Sequence, residues 1–247
     1  MIRAYGTEHC WLTVVSAGRP QNVPVMEEKI GPATWYVPLD ELAAYMNAAT
    51  RSRVEPVTEP FPACRNVAIS EGTERDLTTV QLDDDLRKFR LVLGGQAIDT
   101  TADVAIQELL ETVALSDFKL GGVAPTSNPF FSNEAKPVSS HLFVPSACIA
   151  VKPNCLTFDP SMPLKADYDY TIRQWMTYGG VCRLNLVLPE FAYATNPGGC
   201  NLYRTPALVE QANRTLIGRY PKYVRPNPRR PGEVLLRLPR ASAGLPL

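Results

Sequence analysis

The chain has 247 residues, of which 45% are apolar and 20% charged, a balance that predicts a globular protein with a substantial core. It contains no apolar run of 18 residues, so no transmembrane helix is expected, and residues 1–6 lack the apolar core of a signal peptide, which predicts a cytoplasmic protein. The six cysteines include no CxxC pair, which argues against a zinc site or a disulfide framework and predicts mostly buried, reduced thiols.

The net charge of zero conceals an asymmetry along the chain. Residues 204–247 contain nine basic and two acidic residues, whereas residues 1–203 contain 16 basic and 23 acidic ones. A basic end on an acidic protein fits contact with a polyanion, and the alternative is a solvated tail that aids solubility. The basic residues considered for such a contact are Arg204, Lys222, Arg225, Arg229 and Arg230.

The first predicted strand covers residues 10–16 and ends at a turn over residues 17–20, which contains Gly18 and Arg19. A glycine turn after the first strand of an α/β domain is a common place for a nucleotide, and an ordinary tight turn is the alternative.

Further elements follow in alternation up to residue 86. Short strands are predicted at residues 35–37 and 54–57, and helices after Asp40 and over residues 63–69, the second carrying Arg65 and Asn66. The order βαβαβ predicts a parallel sheet with short crossovers. The helix after Asp40 has a stripe that is predicted to face the core, formed by Leu42, Tyr45, Met46 and Ala49.

Three consecutive aspartates, Asp83, Asp84 and Asp85, end the next predicted strand. If Val80 and Leu82 point into the core, Asp83 and Asp85 share one side of the chain. Two carboxylates at a strand end form an oxygen site for Mg²⁺ or Mn²⁺, and such a metal usually carries a phosphate as a further ligand. The alternative is an acidic turn that caps the next helix.

The second half of the chain continues the α/β pattern. Gly121 and Gly122 in one strand predict the close approach of another group, and a long polar loop contains Phe130 and Phe131. The last fifteen residues are rich in proline and arginine and are predicted to be partly disordered. In chain order the predicted elements are a helix at 99–115, a strand at 118–123, the loop at 124–140, a strand at 141–151, a helix at 163–178 and a strand at 181–188.

Four stretches in this order, 16–19, 65–66, 83–85 and 165–169, resemble the GT-A nucleotide-sugar glycosyltransferases. That fold carries a DxD motif at the end of a central strand and an acidic pair at the start of a later helix. Residues 82–86, 167–171, 179–185 and 196–200 are similar to the TET/JBP-associated glycosyltransferases, which are largely phage-encoded and are thought to glycosylate 5-hydroxymethylpyrimidines in DNA. The resemblance covers roughly residues 10–205.

The resemblance implies an α/β fold of the GT-A class, with a mostly parallel central sheet flanked by helices in a single catalytic domain over 1–247. Residues 1–86 would form the nucleotide-sugar-binding half, 87–203 the acceptor and catalytic half, and 204–247 a basic segment. The implied donor is a UDP-sugar of the UDP-glucose or UDP-GlcNAc type, used with Mn²⁺ or Mg²⁺. The implied acceptor is DNA with a hydroxymethylated pyrimidine, in the cytoplasm of a bacterial or phage-infected cell.

The implied roles fall on individual residues. Asp85 would hold the metal, and Asp83 would either share it or bind sugar or ribose hydroxyls, while Asp84 would touch the sugar or hold the loop. The base that accepts the proton of the acceptor hydroxyl would be Asp167 or, as second choice, Asp169, since Ala166-Asp167 stands where GT-A enzymes often have Glu-Asp; simple helix capping is the alternative for both. The full donor-binding set is Ser16, Gly18, Arg19, Arg65, Asn66, Asp83 and Asp84.

Two further features have two alternative interpretations each. The turn 196–199 would fold over the donor or serve as a plain turn, and Phe130 and Phe131 would stack on a base or lie in the core. Three rival functions are a glycosyltransferase with a protein, glycan or small-molecule acceptor, a nucleotidyltransferase, and a DNA-binding module without activity.

Overall fold

The computed structural model describes residues 1–192, 199 and 204–240, and for Phe131 the backbone alone. Its helices are α1 (Asn22–Ile30), α2 (Leu42–Ala48), α3 (Ala63–Glu74), α4 (Ala102–Leu115), α5 (Ala166–Tyr178) and α6 (Pro206–Arg219), with short 3-10 helices at Leu39–Glu41 and Pro129–Phe131. Its strands are β1 (Ile2–Tyr5), β2 (Glu8–Val15), β3 (Thr34–Pro38), β4 (Arg53–Val57), β5 (Thr78–Asp83), β6 (Leu86–Leu93), β7 (Gln96–Thr100), β8 (Leu120–Val123), β9 (Val138–Ser139), β10 (Cys148–Val151), β11 (Cys182–Leu184), β12 (Val187–Phe191), β13 (Val224–Pro226) and β14 (Val234–Leu236).

A mixed sheet forms the centre of the molecule. Its strands follow the order β4-β3-β2-β5-β10-β8-β11-β9, and β1 pairs with β2. Strands β4, β3, β2 and β5 are parallel, and β8 and β11 run in the same direction, whereas β1, β9 and β10 are antiparallel to their neighbours. The predicted α/β class with a mostly parallel central sheet is confirmed.

The parallel half of the sheet was well predicted, because each of its strands contains apolar residues. Leu12 and Val14 of β2 and Leu82 of β5 are fully buried, as expected of strands that are covered on both faces. The chain moves from β2 to β3 and β4 on one side and then crosses to β5 on the other side of β2. The strand order therefore reverses beside β2, and crevices at such points are the usual ligand sites of open α/β sheets.

Two predicted strands were wrong in extent. The strand predicted at 141–151 is only Cys148–Val151, because Pro145 has no backbone N–H and the N–H of Val144 donates to the Thr171 hydroxyl of α5. The strand predicted at 181–188 is two strands in different sheets, since Asn185 turns the chain by bonding Lys136 and Ser139 with its side-chain amide.

The region around the predicted helix 99–115 also differs from the prediction. A hairpin of β6 and β7, which the sequence did not reveal, precedes the helix, and β12 adds a third strand to it. The helix begins at Ala102 because the hydroxyl of Thr101 accepts a hydrogen bond from the N–H of Val104. In α2, Tyr45 is buried as predicted, but Met46 is 59% exposed, so the predicted core stripe was wrong at that position.

Residues 204–240 of the C-terminal segment are a folded part of the molecule. Leu216 of α6 and Val224, Val234 and Leu238 of the β13–β14 region share a core with Ile172 of α5. The predicted disorder is therefore wrong for residues 233–240, while residues 241–247 lie outside the described part of the chain.

Within the described ranges, none of the helices has both the length and the apolar character needed to cross a membrane. The five described cysteines are free thiols, and four of them are buried, as expected.

Candidate functional site

A cleft of about 980 Å³ opens at the carboxyl ends of β2, β3, β4 and β5. Its wall contains the residues at those ends, namely Val15, Pro38, Val57 and Asp83. The cleft thus lies at the reversal of strand order, where a nucleotide is most often bound in α/β proteins. Its volume is in the range of small-molecule sites.

Asp84, the middle aspartate, is a buried anchor. It accepts hydrogen bonds from the Ser16 hydroxyl and from Arg19 Nη1, the latter at 2.8 Å. The Tyr45 hydroxyl lies 2.6 Å from Ser16 Oγ and accepts the backbone N–H of Arg19 at 2.9 Å. Asp84 therefore fixes the turn after β2, which corresponds to the loop-holding alternative predicted for it.

Asp83, the last residue of β5, is paired with Arg65 of α3. The guanidinium of Arg65 forms an ion pair with Asp83, donates to Gln81 Oε1 at 2.8 Å and donates to the Ser146 carbonyl at 3.2 Å. It also lies over the Phe61 ring, 5.3 Å from the centroid. Arg65 is thus held rigidly at the wall of the cleft, beside the carboxylate that was predicted to meet the donor.

Asp85 has the most unusual environment of the three aspartates. Its side chain is 7% exposed, and Oδ2 lies 3.6 Å from Arg19 Nη1. Oδ1 is buried, and no donor from the described residues reaches it. Burial, together with the charges of Asp83 and Asp84, raises the pKa of Asp85 to about 6.

The residues fit a divalent cation bound together with a diphosphate. The unpartnered Asp85 Oδ1 is an oxygen ligand of the kind that Mg²⁺ and Mn²⁺ prefer. The described lining of the cleft has more acidic than basic side chains, so a bound diphosphate would require a further cation. In the described ranges no three His, Cys, Asp or Glu side chains are grouped to hold a metal, and Mg²⁺ commonly uses one or two carboxylates with phosphate oxygens and water. The acidic lining residues are Asp40, Glu59, Asp83, Asp84, Asp85 and Asp167, and the basic ones are Arg19, Arg65, Lys165 and Arg204.

Asp167 lies in the first turn of α5 and lines the cleft. Its Oδ1 accepts the backbone N–H of Tyr168 at 3.0 Å, so it also contributes to the start of the helix. Desolvation raises its pKa to about 6. The capping alternative and the cleft position are therefore compatible, because one carboxylate oxygen makes the helix contact.

Asp169, the second predicted base, lies outside the lining of the cleft. It is fully buried and accepts hydrogen bonds from Arg173 Nε at 2.7 Å and from the Tyr220 hydroxyl at 2.6 Å. Arg219 Nη1 donates to its Oδ1 at 3.3 Å. Asp169 thus joins α5 to the C-terminal end of α6.

Two predicted donor-binding residues are also outside the lining. Asn66 bonds the backbone of Phe158 through both amide atoms, at 2.9 and 2.7 Å, and so holds the loop before α5. Gly18 has a φ of 72°, a conformation that favours glycine, and its N–H donates to Glu41 at 2.6 Å. Both residues thus make contacts within the protein and do not line the cleft.

The basic residues divide into two groups. Arg204 lines the cleft, whereas Lys222, Arg225, Arg229 and Arg230 are exposed on the C-terminal segment and do not line it. Sequence reasoning missed Lys165, which lines the cleft and pairs with Glu233 at 2.9 Å.

Lys165 adopts a φ of 59°, which a lysine rarely does. No pattern in the sequence signals that conformation. Of the turn 196–199, residues 196–198 lie outside the described residues, while Gly199 lines the cleft and donates its N–H to the Ala17 carbonyl at 3.2 Å.

Comparison with known proteins gives a distant structural similarity. Neither a protein-family model nor a curated protein matches this chain. Among solved structures, the chain is similar to the mannose-1-phosphate geranyltransferase of Thermus thermophilus, with 12% sequence identity and a TM-score of 0.33. The match covers 85% of this chain and 64% of that one, so this chain spans less than two thirds of the other protein's length.

Proposed function

We propose that this chain is a metal-dependent glycosyltransferase that moves a sugar from a UDP-sugar to the hydroxymethyl group of a 5-hydroxymethylpyrimidine in DNA. The observation that carries the proposal is the cleft at the carboxyl ends of the parallel strands. It brings Asp83, Asp85 and Asp167 together with two buried arginines, Arg19 and Arg65. The acceptor rests on the resemblance to the TET/JBP-associated glycosyltransferases and on the basic C-terminal segment.

The donor is proposed to bind over the ends of β2, β3 and β4. Tyr36, Pro38, Val57 and Phe61 give that side of the cleft an apolar and aromatic lining, which suits a nucleobase and ribose. Arg65 stands between this lining and the acidic run, where a diphosphate following the nucleoside would come to lie. Its charge and planar fork favour phosphate oxygens.

The metal is proposed to be Mg²⁺ or Mn²⁺ held by Asp85, with Asp83 as its neighbour. When bound, such an ion neutralises the charge that develops on the leaving diphosphate. Asp84 keeps the run in place by its bonds to Ser16 and Arg19.

The acceptor side is proposed to centre on Asp167. The acceptor oxygen attacks the anomeric carbon, the bond from that carbon to the β-phosphate oxygen breaks, and the acceptor proton passes to the Asp167 carboxylate. UDP leaves with the bonding electrons. A pKa of about 6 leaves Asp167 mostly ionised near neutral pH while it remains basic enough to take the proton.

A transfer assay tests the whole proposal. The protein is incubated with Mn²⁺, labelled UDP-glucose or UDP-GlcNAc, and duplex DNA that contains 5-hydroxymethylcytosine, with the unmodified duplex as the matched control. Label is expected only in the modified duplex. Equal labelling of both duplexes, or labelling of protein alone, would overturn the acceptor.

The same protein tests the rival reaction when it is supplied with UTP and a sugar 1-phosphate. Release of pyrophosphate without any transfer from UDP-sugars would replace the proposal with a nucleotidyltransferase, because that reaction uses the same kind of strand-end carboxylates.

A further inference from the structure

A second cavity, of about 550 Å³, lies beside the cleft, and we refer to it as the α6 groove. It is formed by one face of α6 and by the loop that joins β13 to β14. The lining residues that matter here are Arg204, Thr205, Asn213 and Gly232. Arg204 lines both the cleft and the α6 groove, so the two cavities adjoin at this side chain.

Asn213 gives the groove a buried hydrogen-bonding group. The residue is 9% exposed, and its Nδ2 donates to the Gly232 carbonyl at 2.8 Å, which fixes the orientation of the amide. Its Oδ1 is buried, and nothing in the described part of the chain donates a hydrogen bond to it. Buried amide oxygens are nearly always bonded, so this atom calls for a donor supplied by a ligand.

Arg204 and the N-terminal end of α6 supply positive charge to the lining of the groove. Arg204 stands before the 14-residue helix α6, whose N-terminal end carries a partial positive charge. Thr205 caps that end by accepting the N–H of Leu208 at 3.2 Å. Glu210 is the acidic member of the lining, and it is paired with Arg214 at 3.7 Å.

We propose that the α6 groove binds a nucleotide of the acceptor strand, adjacent to the nucleotide presented to Asp167. Its phosphate lies against Arg204 and the start of α6, and an N–H of its base donates to Asn213 Oδ1. The strand then continues toward the loop that carries Arg229 and Arg230. The proposal rests on the proposed nucleic-acid acceptor, and it assigns the path by which that acceptor leaves the cleft.

The first test measures binding of a fluorescent single-stranded oligonucleotide that contains 5-hydroxymethylcytosine, by anisotropy over a range of salt concentrations and without donor. Arg204→Gln is expected to weaken binding at low salt and to reduce the slope of log K against log salt by about 0.7, the value for one lost phosphate contact. Arg237→Gln is the matched control, because Arg237 is exposed on the same segment and does not line the groove. Equal losses in the two variants would show diffuse attraction and overturn the site.

The second test separates hydrogen bonding from support of the loop. Asn213→Ala is expected to weaken oligonucleotide binding about fivefold with an unchanged salt slope, because a neutral hydrogen bond is lost. A reduced slope would mean that the loop with Arg229 and Arg230 has moved, and an unchanged affinity would mean that Oδ1 meets no ligand; either result overturns the role of Asn213.

Titration of the same variants with UDP and Mn²⁺ distinguishes this proposal from the proposed function. Donor binding is expected to be equal in wild type and Asn213→Ala, because Asn213 lines the α6 groove and does not line the cleft. Wild-type protein that binds UDP but no oligonucleotide would overturn the groove and leave the donor site standing. Oligonucleotide binding without UDP binding would overturn the glycosyltransferase and leave the groove in place.

Discussion

The three consecutive aspartates have different partners and therefore different physical roles. Asp83 pairs with Arg65 across the cleft wall, Asp84 is bonded to the turn after β2, and Asp85 has a buried oxygen without a donor among the described residues. The sequence predicted the run and its position at a strand end. It did not predict the partner of each carboxylate, because those partners come from elements 18 to 68 residues away along the chain.

The anchoring role of Asp84 predicts a loss of stability when it is removed. Asp84→Ala removes the nearer of the two carboxylates that pair with the buried Arg19, and this is expected to lower the free energy of unfolding by about 3 kcal/mol. Urea unfolding measures the change. Asp99→Ala is the control, because its ion pair with Lys88 is exposed and worth at most about 1 kcal/mol. Equal losses in the two variants would contradict the anchor.

The raised pKa of Asp85 predicts a pH-dependent metal affinity. Since protons and cations compete for the same carboxylate, Mn²⁺-dependent UDP binding is expected to be constant above pH 7 and to fall up to about tenfold per unit below pH 6. Asp85→Asn is expected to bind UDP weakly and equally with and without Mn²⁺. Calorimetric titration between pH 5 and 8 measures both effects, and a wild-type affinity that stays constant down to pH 5 would exclude Asp85 as a ligand.

Asp167 is expected to lower stability while it supports transfer. Its folded-state pKa, about 6, is above the ordinary value of 3.8, so the folded protein holds this proton more tightly than the unfolded chain does. The contribution of the protonated Asp167 carboxyl to the free energy of unfolding is fully present below pH 4 and is lost as the pH rises through 6. Asp167→Asn is therefore expected to raise Tm at pH 7, to keep UDP affinity and to reduce transfer at least about 100-fold.

Calorimetric scans measure the Tm of Asp167→Asn, and a transfer assay measures its turnover. Asp40→Asn is the control, because Asp40 is an exposed carboxylate in the lining of the same cleft. Wild-type turnover in Asp167→Asn would move the proton acceptor to another residue.

At the scale of elements, local patterns predicted the first half of the molecule better than the second. From β2 to β5 the predicted strands correspond to strands of the structure. The run 141–151 is equally apolar, but Val144 and Ala147 are buried in a connection that is not a strand. An apolar sequence therefore did not distinguish a strand from a buried loop. The hydrogen bond from the N–H of Val144 to Thr171 of α5 keeps Val144 out of the strand, and it joins residues that are distant in sequence.

Gly121 shows how α4 packs on the sheet, and it predicts a stability effect. The close approach that the sequence suggested at this glycine is to Val113 of α4, whose Cγ2 would lie 2.0 Å from an added Cβ. Gly121→Ala is expected to lower the free energy of unfolding by about 1–3 kcal/mol through overpacking. Gly218→Ala in α6 is the matched control, because nothing lies within 4 Å of its added Cβ. That variant is expected to be stabilised by up to about 1 kcal/mol. Urea unfolding of both variants measures whether the two changes in the free energy of unfolding have opposite signs.

At the scale of the whole molecule, the sequence revealed the basic charge of residues 204–247 but not that residues 204–240 pack into a hydrophobic core. The apolar residues of 204–240 are sparse in sequence, and they form a core only together with residues outside that segment, including Ile172 of α5. Truncation near residue 213 would remove Leu216, Val224 and Val234 from that core. Such a truncation cannot separate the loss of basic charge from the loss of folding, so surface charge variants are required.

The exposed pair Arg229 and Arg230 provides such a variant. Both residues lie in the loop between β13 and β14, where the Asn227 side chain accepts the N–H of Arg229 at 3.0 Å. Changing both to Gln is expected to leave Tm and UDP affinity unchanged, to weaken duplex DNA binding, and to reduce its salt slope by about 1.8. Changing Arg87 and Lys88 of β6 to Gln removes two adjacent exposed cations on another element and is expected to have no such effect. Anisotropy titrations of both double variants over a range of salt concentrations measure the DNA affinity and its salt slope. Equal slopes in the two variants would mean that DNA is attracted by the total charge of the protein instead of by the C-terminal segment.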